Sequence, residues 1–519
     1  MLKPLLRCPV AAGAFIAASL PLAVCAQSVP SGSRAPAISD VPFAPVASAA
    51  PASSADPAAS TAPEALATPR PATVTAQVQP LTVASPAASS APELRRALPL
   101  PFDPIFPSSG EFPGPTIGVP TAAGLRAYGW VDPGMEWSTS AYSNYPLTYD
   151  DVPNSPQLDQ FVLRFERQPD TVQTDHLDWG FRLSSLYGVD YRWTTMQGVL
   201  SNQLLLRNQT NGYDPVEAYG ILYFPKWGQG TYIEIGRYIS PPDIEAQLAP
   251  ENFLYTHSLM FDFDCYTQMG VLLMTKLSNY WTLEYGIHSA DDVASWNGSA
   301  HIPTFLLIAR WVSHSNRDSL LFGIDSHSFD GGNFKTYTDG TYYSQITKQV
   351  QPLVWGHDDL QQQNVTWTHV FNPHLQNEFE AYYIYENNAY VGGTINNYNV
   401  ATGGPVYLGA GGGPGAFLPG LSGAVGFVDY LAYQFSPKDF ITFRPDYIND
   451  PRGERSGFAT AYGSLTLGIT HRFAPNFEIR PEYRIEKAFR SGVTPYDNGT
   501  KAYQTTFGMD AIINFGNDN

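Results

Sequence analysis

The chain has 519 residues and carries 47 acidic against 29 basic side chains, a net charge of −18, a balance that excludes nucleic acid as a partner held through its phosphates. Charged residues are only 15% of the chain while aromatics are 13%, dominated by 31 Tyr and 29 Phe. No stretch approaches the ~20 consecutive apolar residues that a membrane-spanning helix requires.

The N-terminus reads as an export signal. Lys3 and Arg7 form a basic start, Ala11–Leu22 an apolar run, and Val24-Cys25-Ala26 a small-x-small cleavage pattern that makes Gln27 the first mature residue. Leu22-Ala23-Val24-Cys25 approaches a lipidation motif, but Val24 is too large for its small-residue position. Cleavage removes Lys3 and Arg7 and takes the net charge from −18 to −20. It also removes Cys8 and Cys25, leaving Cys265 without an intramolecular disulfide partner. Gln27 to about Leu100 is rich in Pro, Ala, Ser and Thr and nearly free of aromatics, so it cannot bury enough apolar surface to offset its chain entropy. The expected organisation is a signal peptide over 1–26, a disordered periplasmic linker over 27–105 and one folded domain over 106–519.

Beyond residue 120 the sequence has a hairpin cadence. Four segments pair alternating strands across a short reversal: Thr275–Trp281, His369–Leu375, Gln434–Phe440 and His471–Phe477. Ser, Asn, Ala and Pro at their centres suit tight turns between antiparallel strands. Less regular short turns fall near Gln168–His176, Pro225–Gly230 and His314–Arg317. Between them lie longer polar connections: Tyr145–Gln157, Asp190–Val216, Ser240–Asp262, Ala290–Ile302, Phe329–Leu360, Asn387–Gly423, Asp450–Ser456 and Ala488–Lys501. Short and long connections alternate strictly, as periplasmic turns and extracellular loops do in outer-membrane barrels. Seven turns and eight loops join about 16 strands, with 14 or 18 left open by weakly patterned segments such as Val425–Phe435. The fold class is therefore all-β, a transmembrane antiparallel up-and-down barrel.

The strands have two faces because successive side chains point to opposite sides. Phe477–Glu486 is the clearest: odd positions are apolar or Pro481, and even positions are Glu478, Arg480, Glu482, Arg484 and Glu486. The same reading places Arg164, Glu166, Arg182, Glu284, Arg310, Glu378, Glu380, Arg444, Asp446 and Asp510 on the inner face, as a wet pore lining with both signs of charge. Substitutions at the inner charges of Phe477–Glu486 are expected to change ion selectivity and barely change stability, whereas Arg at Ile479 or Ile485 is expected to do the opposite. The loop Ser240–Asp262, with Asp243, Glu245 and Glu251, is either an ordinary outer loop or a constriction folded into the lumen. The last strand runs from Tyr503 to Phe515 and resembles the C-terminal aromatic-ended signal by which barrel assembly machinery recognises its clients.

Ile233-Glu234-Ile235-Gly236-Arg237-Tyr238-Ile239-Ser240-Pro241-Pro242-Asp243-Ile244-Glu245, followed by Asn252–Ser258, resembles the strand-to-loop signature of the OmpL-like outer-membrane β-barrel porins (β-barrel porin-2 type). Gly129–Gly134 and the Pro215–Pro225 strand resemble the same family, so the likeness covers about residues 120–519. Pro242, and the lack of Gly after Asp243, depart from the pattern. The resemblance implies a barrel and a pore, with no chemistry attached.

Catalytic patterns are weak. Asp262 and Asp264 with Asp325 could make a cation site, but carboxylates alternating along an inner face account for them. His357-Asp358-Asp359 lies in a polar loop. His257-Ser258 and His314-Ser315 supply residue types for a lipid-acting hydrolase, but adjacent side chains diverge along a strand. The expectation is a non-enzymatic outer-membrane porin, without metal or cofactor, embedded in lipid and passing small polar solutes or ions. The rival readings are a closed barrel serving adhesion or structure through its loops, and an outer-membrane lipid-acting enzyme.

Overall fold

The computed structural model describes residues 124–517 apart from 147–148, 151, 206–208, 242, 298–302, 330–331, 333–336, 344–349, 354–358 and 390–417. The expected signal peptide and linker lie outside the described residues, as do 106–123, Pro242, His357 and Asp358.

In chain order the first strands are β1 (Leu125–Ser138), β2 (Pro156–Arg167), β3 (Asp178–Gly188), β4 (Gly212–Phe224), β5 (Thr231–Ile239) and β6 (Thr267–Lys276). They are followed by β7 (Trp281–Asp291), β8 (Thr304–Val312), β9 (Asp318–Ser328) and a pair within one loop, β10 (Tyr337–Tyr343) and β11 (Val350–Leu353). The chain then forms β12 (Gln361–Asn372), β13 (Leu375–Asn387), β14 (Leu421–Ser436) and β15 (Asp439–Asp450). It ends with β16 (Thr460–Ala474), β17 (Phe477–Ala488) and β18 (Tyr503–Asn517). Sixteen of these form one closed antiparallel barrel, while β10 and β11 pair only with each other. No helix of the described residues is long and apolar enough to cross a membrane.

Within the barrel each strand pairs with the next barrel strand in sequence, β9 with β12 included, until the last strand returns to the first. Ala127 lies opposite Asn517, Trp130 opposite Asn514 and Ser138 opposite Thr506, so the Tyr503–Phe515 segment closes the wall and leaves no open edge. All seven expected short turns fall at the barrel end that also holds Leu125 and Asn517, and all eight long connections fall at the other. The strand Val425–Phe435 is real and longer than expected, spanning Leu421–Ser436.

The outer face is apolar and banded. Leu183, Ile235, Ile287, Leu307, Leu465 and Leu467 are exposed on it, each side chain presented where a soluble protein would place polar groups. Aromatics gather toward both ends. Near the short turns Phe224 stacks on Trp227 at 4.2 Å between centroids and Phe473 on Phe477 at 5.3 Å. Near the loops Tyr383 stacks on Tyr385 at 5.3 Å, and Trp137 meets Phe507 at 5.7 Å. Two aromatic girdles around an aliphatic belt match a lipid bilayer, whose interfaces favour amphipathic rings.

Candidate pore and its inward loop

The inner face is built by the same alternation. Along β17 Glu478, Arg480, Glu482, Arg484 and Glu486 are all buried, while Tyr483 and Ile485 between them and Lys487 after them are exposed. Arg164, Glu166, Glu284, Glu378, Glu380, Arg444, Asp446 and Asp510 are likewise buried, and Arg182 and Arg310 are half-buried. Every wall charge expected to face inward thus stands on the side opposite the aliphatic belt.

These charges are paired rather than loose. On β2–β4, Arg164 binds Glu217 at 2.7 Å, while Arg182 reaches Glu166 at 2.8 Å and Glu217 at 3.3 Å. Arg126 adds a contact to Glu166 at 3.4 Å. On the other side of β1, on β17 and β18, Arg480 pairs with Asp510 and Arg484 with Glu486. The sequence reading missed Glu217, because Pro215 and Tyr219 blur the alternation of β4.

The connection Ser240–Tyr266 between β5 and β6 folds into the barrel. Its backbone is gripped by the wall charges. Arg480 donates to the carbonyls of Ala249 at 2.7 Å and Asn252 at 2.8 Å. Glu482 accepts the amides of Tyr255 at 3.0 Å and Thr256 at 3.2 Å, and the Thr256 hydroxyl as well. Arg444 donates to the Thr256 carbonyl and Arg484 to that of His257. Three strands further round the wall, Gln160 on β2 takes the Ala249 amide at 3.1 Å and donates to the Gln247 carbonyl at 2.9 Å. The loop therefore reaches from its roots on β5 and β6 to β15, β17 and β2, and charged wall groups satisfy backbone that would otherwise be stranded away from its own ladder.

Glycines on the polar face make room for it. A Cβ at Gly134 would sit 2.3 Å from the Tyr255 hydroxyl oxygen, and one at Gly468 would sit 2.4 Å from a Leu254 methyl. Side chains at those positions would push the loop off the wall.

The three loop carboxylates have different surroundings. Glu245 accepts from the Ser258 amide at 2.8 Å and the Tyr430 hydroxyl at 2.6 Å, and lies 3.4 Å from Arg444. Glu251 stands 3.6 Å from Arg164 with its side chain a third exposed, next to the Arg164–Glu217–Arg182 group. Asp243 is buried beside Asp264 and Glu380. His257 is part of the loop's own core: it packs 4.3 Å from the Tyr149 ring and 4.5 Å from Phe261, and its Nε2 meets the Ala246 carbonyl at 2.8 Å. Burial holds its ring down to about 3, so it is neutral near pH 7. Ser258 donates to Glu245, not to His257. His314 bonds Tyr280 at 2.8 Å.

One expectation fails. The inner charges of β17 are not free to change without cost to stability. Arg480, Glu482 and Arg484 are fully buried clasps, and removing one member of a buried pair typically costs about 3–5 kcal/mol. Arg480 and Glu482 lie more than two hundred residues away in sequence from the loop backbone they hold, so strand alternation alone could not reveal the contact.

Among solved structures the chain is similar to an anion-selective porin from Comamonas acidovorans, at 9% identity over 75% of this chain and 99% of that one, with a TM-score of 0.45. The outer-membrane channel DcaP of Acinetobacter baumannii is 12% identical over 77% of this chain and 99% of that one, with a TM-score of 0.42. OmpT, an outer membrane protein of Vibrio cholerae, is 11% identical over 75% and 99%, also at 0.42. A search of the curated proteins found no match. The family model described as "Putative beta-barrel porin-2, OmpL-like" matches residues 124–515, from the first residue of the barrel to the last aromatic of its closing strand. The chain belongs to this OmpL-like β-barrel porin-2 family.

Proposed function

We propose that the barrel is an outer-membrane channel through which small polar solutes or ions diffuse passively, narrowed by the loop Ser240–Tyr266. The observation that carries this reading is the combination of a closed sixteen-strand wall, apolar outside and lined with charges inside on β2–β4 and β15–β18, with a loop held across its interior. A wall of that size encloses more space than its own side chains fill. The short-turn end, with both barrel termini, faces the periplasm. The inner charges of β2–β4 and β15–β18 with Glu251 set the field along the path, and β18, ending near Phe515, engages the assembly machinery.

Purified protein inserted into a planar bilayer is expected to give stable ion steps. Silence from protein proven to be folded by heat-modifiable migration would favour the adhesion reading and sink the channel. Residues 27–105 are proposed to be a periplasmic spacer dispensable for the barrel. Limited proteolysis in detergent is expected to remove them and leave a heat-modifiable core; loss of that core on trimming would move the domain boundary.

A further inference from the structure

Both roots of the inward loop converge on one wall residue. Asp243 near its start, Asp264 near its end and Glu380 on β13 each offer a carboxylate oxygen, and these oxygens all lie within 4.8 Å of one another. All three residues are buried. Three carboxylates so close repel strongly away from water unless they share protons or a metal cation joins them. A cation with oxygen bonds of about 2.4 Å can touch two oxygens only when they are no more than about 4.8 Å apart, so the spacing fits one ion.

A second observation points the same way. Gln362 on β12 is completely buried and approaches Asp264 with its side chain, yet neither its side-chain oxygen nor its nitrogen makes a well-formed hydrogen bond. Asn364, one inward position further along, donates to Glu380 at 3.0 Å while its own side-chain oxygen is buried without a partner. Asp243 Oδ1 and Asp264 Oδ2 are also unpartnered. Buried polar atoms are nearly always satisfied, and these unpartnered atoms belong to the three-carboxylate cluster and the two amide side chains beside it.

We propose that Asp243, Asp264 and Glu380, with the amide oxygens of Gln362 and Asn364, form a divalent-cation site that fastens both roots of the inward loop to the barrel wall. The donor set is oxygen only, three charged and two neutral, which selects a hard cation. Five protein oxygens in irregular array suit Ca2+, which accepts flexible coordination, better than Mg2+, which demands a near-ideal octahedron. The ion would act at the point where Glu380 already accepts the Ile244 amide at 2.8 Å, so its binding and the seating of the loop reinforce each other.

The test uses the full chain, refolded in lipopolysaccharide-free detergent after chelation, with Ca2+ added in a calorimeter and thermal melting followed in parallel. One Ca2+ per chain is expected to bind, with Mg2+ binding at least about tenfold more weakly. D264N and E380Q are each expected to weaken Ca2+ binding by at least about tenfold. The melting readout separates a site from a merely structural role: in chelator E380Q is expected to melt at or above the unmodified protein, and in millimolar Ca2+ below it. Absence of Ca2+ binding by the folded unmodified protein, or equal binding by whichever of the two variants folds, overturns the proposal. The binding measurement needs no conduction, so its failure is distinct from failure of the channel reading.

Discussion

Glu482→Ala is expected to loosen the inward loop and add transient openings to a higher level in single-channel recordings, without preventing barrel formation. Its carboxylate accepts two backbone amides and one hydroxyl from Tyr255 and Thr256, the middle of the loop's path across the interior. Hydrogen bonds to a charged group contribute about 1.5–3 kcal/mol each, and even about 3 kcal/mol shifts the balance between seated and displaced loop by on the order of a hundredfold. Arg480, Arg444 and Arg484 still hold neighbouring carbonyls, so the loop leaves its seat only in bursts. Deleting Ile244–Ala249 removes the Glu245 anchor and the Ala249 carbonyl together, and a sustained rise in conductance is expected. A folded Glu482→Ala protein with unaltered traces, together with unaltered conductance in the folded deletion, would show that the loop does not lie across the conducting path.

The barrel was legible in the sequence because its wall obeys one local rule. Two-residue alternation, short reversals and long polar connections are set by neighbours a few positions apart, so the barrel, a count of about sixteen strands and the alternation of turns and loops could be read from them. The interior obeyed a different rule. Ala424, Val428 and Ala432 make the inner face of β14 apolar as well as its outer one, which is why Val425–Phe435 looked weak. That face packs in one core with Met260 and Phe263 of the inward loop, so water is not its neighbour. Wall charges on β17 looked like a pore lining for the converse reason, since nothing nearby in sequence reveals that Thr256 and Ala249 become their partners. Gly134 and Gly468 on polar-face positions were the available signal: a glycine where a charged or hydroxyl side chain would cost nothing marks close approach by another segment. Asp264 was noticed beside Asp262 and Asp325, but it meets Asp243 and Glu380 through the loop's return.

The two faces of β17 provide the sharpest contrast at adjacent positions. Ile485→Arg is expected to block insertion: Ile485 is exposed on the outer face opposite Leu465, within the aliphatic belt. A charge there costs about 2–4 kcal/mol near the bilayer midplane and less toward the interfaces. Protein that does insert should conduct as the unmodified channel does, because nothing inside has moved. Arg484→Gln changes the other face. It takes a positive charge from beside Glu486 and weakens the clasp on the His257 carbonyl, while leaving an amide that can still donate. Its yield of inserted barrel should stay near normal, melting should fall, and permeability should shift toward cations as the interior becomes more negative. Folding yield into vesicles and reversal potential in a salt gradient measure the two effects separately. If Ile485→Arg inserts normally while changing selectivity, or Arg484→Gln fails to insert with selectivity intact, then the faces have been assigned the wrong way round and the bilayer is not where the aliphatic belt places it.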